Sequence, residues 1–347
     1  MRVVVLGDGE PWVRRALDDL GRSGVLTEVT TVPASSSVGD LVDAAVGVDV
    51  ILAGSLDSRA SMRVPLAAIA ARRHAVVPAW SAADQRDHLE LHADAKEVGI
   101  TIMSGASASP AIPVLLARHA AKQFDEVRLV EVSWALPPDA LADLATARAV
   151  VEGSVGLALV REEAAFSSAP AGHTAPVAFP EPVGIARAGL FGGAEVWRLP
   201  DTLPGRPSVR VQLAGTAPWF WFALRAASLL GRAGRTDAAA AALSLVMSRV
   251  ARLSTHGSWA GVRVSLEGRV GTSSRTVVVG GFDNIDTWNA GAMVLAVSSL
   301  ARGEAGPGVV VPGSDGDTTA ALQQFHDAGI RFAALDDALS PPRHANG

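Results

Sequence analysis

The first hundred residues alternate short apolar runs with helix-length segments, and that alternation leaves few folds open. Val3 to Leu6, Thr27 to Val32, Asp49 to Ala53, Ala75 to Val77 and Ile100 to Met103 are apolar or β-branched and read as strands. Arg14 to Leu20, Val38 to Val46, Pro65 to Arg73 and the long stretch Ala82 to Val98 read as the helices between them. Strands joined through single helices pair in parallel by right-handed crossovers, so the expected class is α/β with a Rossmann-like, doubly wound parallel sheet.

The pattern changes after about residue 126. Val127 to Trp134 is strand-like and Asp139 to Val150 helical, followed by a Gly- and Pro-rich stretch over 165–208 with strand candidates at Glu195 to Leu199 and Val209 to Leu213. Two apolar helices, Trp219 to Gly231 and Asp237 to Ser254, precede strands at Ala260 to Arg269 and Thr276 to Gly281. This is the signature of a central α+β domain with a mostly antiparallel sheet and helices on one face. The expected division is therefore 1–126, 127–285, and a segment 286–347 whose helix, Asn289 to Arg302, and small helix-strand tail, Asp317 to Ala334, return to the first domain.

The first turn tests what the parallel sheet serves. After a buried strand, a dinucleotide-binding turn needs a glycine for the tight bend, a second for close approach of backbone to pyrophosphate, and a third for packing of the next helix. Gly7 and Gly9 supply the first two, Glu10 and Pro11 open the helix, and Trp12 stands where the third belongs. A plain strand-to-helix turn explains the same residues. The second strand ends in Val32-Pro33-Ala34-Ser35-Ser36-Ser37, with neither the acid that holds ribose hydroxyls nor a base for a 2′-phosphate. Ser35 and Ser36 either hydrogen-bond such a phosphate or form a solvated loop that caps the next helix. Gly54, Ser55 and Leu56, after the third strand, take the place where backbone passes the adenosine side.

Composition narrows the classes further. A net charge of -5 and only two lysines, Lys96 and Lys122, argue against a nucleic-acid partner. The absence of cysteine removes disulfides, thiolate metal sites and cysteine nucleophiles. No apolar run reaches the ~18 residues of a membrane span. With a strand at the very N-terminus and no room for a signal peptide, a cytoplasmic location is expected.

Residues 88–120, from His88-Leu-Glu-Leu-His92 through Met103-Ser-Gly-Ala-Ser-Ala-Ser-Pro110 to Ala120, resemble the saccharopine dehydrogenase-like oxidoreductases, with their helix, strand and Pro-containing turn. Trp288-Asn-Ala-Gly-Ala-Met293 and Leu300-Ala-Arg-Gly-Glu-Ala-Gly-Pro-Gly-Val-Val-Val-Pro312 resemble that family's closing helix and loop. The resemblance implies an NAD(P)-binding domain, a substrate and dimerisation domain, and hydride transfer to or from a C=N or activated C=C bond. Family members often carry Tyr and Asp after the histidine equivalent to His74, where this chain has Ala75, Val76 and Val77; Ser109 and Ala111 replace the acid and glycine flanking the later proline.

Expected cofactors are NADP or NAD, and the expected partner is a bulky, largely apolar small molecule bound by a homodimer. Trp219 and Trp221, with Trp80, Trp134, Trp288 and Ser107, either form core and interface or wall such a substrate. His74, His256 and Asp286 are candidate proton donors, with Asp283, Asn284 and Asn289 as further polar candidates; Asp286 is also placed to cap the last long helix. His88 and His92 have metal-ligand spacing, but no third ligand accompanies them, and an exposed helix face is expected instead, with no metal. A different class remains open: a redox-neutral cyclase or isomerase of specialised metabolism that folds a polyketide-like substrate on the same scaffold.

Overall fold

In the first sheet, β1 (Arg2–Leu6) pairs in parallel with the edge strand β2 (Glu28–Val32) on one side and with β3 (Val50–Ala53) on the other. The structure is a computed structural model describing residues 1–334 apart from 8, 57, 156, 163–164, 171–173, 218, 254–257 and 328. Beyond β3 lie β4 (His74–Val77) and β5 (Thr101–Ser104). The crossovers are α1 (Pro11–Arg22), α2 (Val38–Ala44), α3 (Ser58–Ala71), α4 (Ala82–Glu90) and α5 (His92–Glu97). β3 is wholly buried and β1 is buried from Val3 onward, which is why Val3–Leu6 and Val50–Ala53 are unbroken apolar runs.

The expected single helix over Ala82 to Val98 is two. Leu91, at φ −84° and ψ 2°, ends α4 and begins α5. The break brings His92 to the sheet edge, where its Nδ1 accepts a hydrogen bond from the Val309 amide.

Buried α6 (Ala108–Ala121) leads into the second domain through β6 (Glu126–Leu136). A 3-10 turn (Ala140–Ala142) and α7 (Leu144–Ser154) follow, then β7 (Leu157–Glu162), β8 (Ala165–Pro170), β9 (Thr174–Ala178) and β10 (Ile185–Leu190). Glu195 to Leu199, expected as a strand, instead forms a 3-10 turn (Ala194–Trp197) and the start of the short α8 (Leu199–Thr202). The remainder is β11 (Ser208–Gly215), α9 (Phe220–Arg232), α10 (Thr236–Leu253), β12 (Ala260–Val270), β13 (Ser273–Asp283), α11 (Ile285–Ala301), β14 (Gly308–Val310), α12 (Thr318–Asp327) and β15 (Arg331–Ala334).

The second sheet runs β15-β13-β12-β6-β11-β10-β9, with β7 and β8 branching from β11. Its pairings are antiparallel except β6 with β11. Within the segment 286–347, α11 packs on α1, and β14 pairs in parallel with β5 to complete a first sheet of order β14-β5-β4-β3-β1-β2. β15 departs from the expectation by joining the second sheet beside β13. The described end of the chain thus ties the two sheets together.

Candidate functional site

The strand order reverses between β2-β1 and β3, and in an open α/β sheet the crevice outside such a reversal is where ligands bind. Gly7 and Gly9 have φ of +93° and +72°, the left-handed conformations that favour glycine, and they bring the chain over the end of β1. Gly54 answers them after β3: a Cβ there would stand 2.6 Å from the Leu6 carbonyl oxygen. α1 then starts on Pro11, which has no N–H to leave unpaired.

Trp12, in place of the third glycine, is buried in the apolar cluster that also holds Ala290 and Met293 of α11, and it lines the crevice. Its indole Nε1 donates to Glu10 Oε2 at 2.5 Å. The other oxygen of that carboxylate, Oε1, accepts from the Leu56 amide at 3.1 Å. The Glu10 amide is itself committed to the Gly54 carbonyl at 2.9 Å. A single side chain therefore bridges the turns after β1 and β3. Burial pushes its carboxyl above the ordinary 4.5, and the nearby Asp143 and Asp286 push in the same direction.

From this bridge a cavity of about 220 Å³ opens between the domains, lined by Glu10, Trp12, Asp139, Asp143, Asp286 and Asn289 among others. Asn284 rather than Asp286 caps α11, its Oδ1 accepting from the Asp286 amide at 2.8 Å, which leaves the Asp286 carboxyl to the cavity. Burial raises the Asp286 carboxyl above 3.8, reinforced by Asp143 and Asp139 and opposed by Arg15. Asp143 caps α7 through the Thr146 amide. Asn289 is buried, with Oδ1 accepting from the Ala108 amide at 2.8 Å and its side chain on the cavity wall. The site therefore presents carboxyl groups on three sides, an amide, and apolar surface from Leu56, Ala140 and Ile285.

Behind Asn289 lies a buried polar layer. Ser107 Oγ donates to the Ser109 carbonyl, and Ser109 Oγ to Glu195 Oε1 at 2.7 Å, an oxygen that also accepts from Trp134 Nε1 at 3.0 Å. Trp134 packs against Trp80 and Trp288, with ring centroids 5.9 and 5.5 Å away. These three tryptophans lie together in the core rather than on the cavity wall.

The remaining candidates lie elsewhere. Trp219 is 69% exposed, and half-buried Trp221 donates from Nε1 to the Arg187 carbonyl. Both lie at α9 and line no part of this cavity. His74 begins β4 at the edge of the sheet opposite the crevice, its Nδ1 accepting from the Thr101 amide, so it does not reach the site. His256 lies outside the described residues. His88 is not on an exposed helix face: it is fully buried against Ser104. In the serine loop, Ser37 caps α2, and Arg63 donates to the carbonyls of Ala34 and Ser36. Arg63, Asp139, Asp143 and Glu195 have no local sequence signature, since each acquires its place through contacts across the chain.

The fold and crevice define a two-domain α/β protein with a Rossmann-like parallel sheet. It shares that fold with saccharopine dehydrogenase (L-Glu forming) from Saccharomyces cerevisiae, at TM-score 0.65 and 13% identity over 96% of this chain and 99% of that one. A DAP dehydrogenase of C. glutamicum in complex with DAP matches at 0.52 and 13% over 93% and 95%, and an engineered D-amino acid dehydrogenase bound to NADP+ at 0.50 and 13% over the same shares. No family model matches the sequence, and no curated protein matches it. At these identities the likeness is one of fold, as the resemblance in residues 88–120 implies.

Proposed function

We propose that the chain is an NAD(P)-dependent oxidoreductase acting at a carbon–nitrogen bond of a substrate that carries a cationic nitrogen beside an apolar body. The observation that carries this reading is the cavity at the ends of β1 and β3, lined by both domains and rimmed by Glu10, Asp139, Asp143 and Asp286. Carboxylates in a partly desolvated crevice attract a protonated amine or iminium and repel an anion. The volume, about 220 Å³, suits the reacting end of a substrate.

The dinucleotide fits the glycine turns. Gly7, Gly9 and the backbone of Gly54 to Leu56 would hold its pyrophosphate side, with Ser35 and the Arg63-braced loop at the ribose end. The mouth of α1 carries Glu10 instead of open amides. A bound nicotinamide supplies or accepts the hydride. The protein's part is to orient the C–N bond, with Asp139 and Asp143 holding the cationic nitrogen. Asp286, whose carboxyl is raised toward neutrality, passes the proton at that nitrogen.

Titration with NADH and NADPH, followed by tryptophan fluorescence and by nicotinamide absorbance against a panel of amines and imines, tests this reading. No binding at millimolar cofactor would remove it. Asp286→Asn is expected to lower kcat/KM about 10²-fold and to abolish one limb of its pH profile. The redox-neutral cyclase or isomerase reading is favoured by one observation, the Glu10 carboxylate on the cradle. It predicts turnover with no change in nicotinamide absorbance.

Homodimer formation belongs to the same proposal. Its support is the exposed apolar surface of α9 and α10, with Trp219, Phe222, Leu229, Leu245 and Leu253. Light scattering is expected to give twice the chain mass of 35.6 kDa, falling to one chain in Phe222→Asp.

A further inference from the structure

The strongest unexplained contact in the crevice is the one Glu10 makes. Helix N-termini and the turns beside them present N–H groups to anions, and here two N–H donors converge on one carboxylate. Leu56 N–H reaches Oε1 at 3.1 Å and Trp12 Nε1–H reaches Oε2 at 2.5 Å. Glu10 does not use this carboxylate to cap its own helix, and Pro11 offers no amide in its place.

We propose that the Glu10 carboxylate is a resident anion on the dinucleotide cradle, standing on the two donors that face an incoming pyrophosphate, so that ionised Glu10 and bound dinucleotide exclude one another. This rests on reading the crevice as a dinucleotide site. The groups facing Glu10 are Asp143 from the cap of α7 and Asp286 from α11, with Asp139 on the same cavity wall. Arg15 of α1 is drawn away to Thr287 Oγ1 at 2.8 Å. A pyrophosphate on the glycine turns adds negative charge beside these carboxyl groups, and Glu10, in direct contact with its donors, is the one that must give up its charge or its place. Burial, which raises the pKa of Glu10 against the pull of its two hydrogen bonds, makes protonation the easier route. Dinucleotide binding is thereby coupled to uptake of a proton from solvent at Glu10.

Calorimetric titration with NAD+ in two buffers of different ionisation enthalpy reads that proton directly and needs no catalysis. The full chain is expected to take up close to one proton per NAD+ above the Glu10 ionisation, with affinity falling up to about tenfold per pH unit. Glu10→Gln is expected to bind with little uptake and a flat pH profile, while Asp286→Asn retains the uptake. If wild-type protein binds NAD+ without uptake, or Glu10→Gln keeps it, the proposal is wrong and the dinucleotide reading stands. If neither protein binds NAD+ or NADP+ between about pH 5.5 and 8.5, both are overturned.

Discussion

Glu195→Ala is expected to lose about 3–5 kcal/mol of unfolding free energy in urea, whereas Glu195→Gln loses less than about 1 kcal/mol. Glu195 is fully buried, and burial holds its carboxyl above the ordinary 4.5, with no charged neighbour among the described residues opposing it. A buried carboxyl with no cation beside it and with Oε2 unpartnered favours the neutral form. Its Oε1 is the acceptor for both Ser109 Oγ and Trp134 Nε1, a role the glutamine carbonyl keeps. Alanine removes that acceptor, stranding two buried donors at about 1–3 kcal/mol each, and leaves a void under the tryptophans. The packing around the carboxyl is close: a Cβ on Gly193 would lie 2.4 Å from Oε2. Equal losses in the two variants would mean that the group is ionised and that this account of the layer is wrong.

The second large effect is on pH dependence. His88 Nδ1 lies 2.7 Å from Ser104 Oγ, which also bonds the Gln85 side-chain amide at 3.1 Å. Burial lowers His88 from the ordinary 6.5 to about 4, which keeps it neutral. An unfolded chain protonates this histidine below 6.5 while the folded one does not, so its contribution to stability is complete above 6.5 and lost as pH falls toward 4. The loss is about 1.4 kcal/mol for each pH unit crossed. Asp84, in the same helix, acts oppositely: burial raises it from 3.8 to about 6, and stability from its neutral form is lost as pH rises through that range. The difference between wild type and His88→Phe cancels the Asp84 contribution. Wild type is expected to be the more stable at pH 7.5, with that margin shrinking by about 2 kcal/mol on going to pH 5. A margin independent of pH would show that His88 titrates normally.

The sequence alone determined the parallel sheet, because strands buried on both faces must be continuous apolar runs, as Val3 to Leu6 and Val50 to Ala53 are. It also determined the two glycine conformations that carry the chain over β1, and the polar cluster Asn284, Asp286 and Asn289 at the head of α11. β8 and β9 were illegible because AFSSAP and TAPVA lack clear apolar alternation. Glu195 misled, since its place is fixed by Ser109 and Trp134, far along the chain. Trp80, Trp134 and Trp288 were read together with Trp219 and Trp221, and only the fold separates the buried trio from the pair at α9. Only the tertiary structure decided that Asp139 and Asp143 face Glu10 and Asp286 across the domain boundary, and that the Glu10 carboxylate lies on Leu56 N–H and Trp12 Nε1–H. Local periodicity records which face of an element is buried, whereas the charge of a cleft is the sum over side chains that only the closed fold brings within a few ångströms.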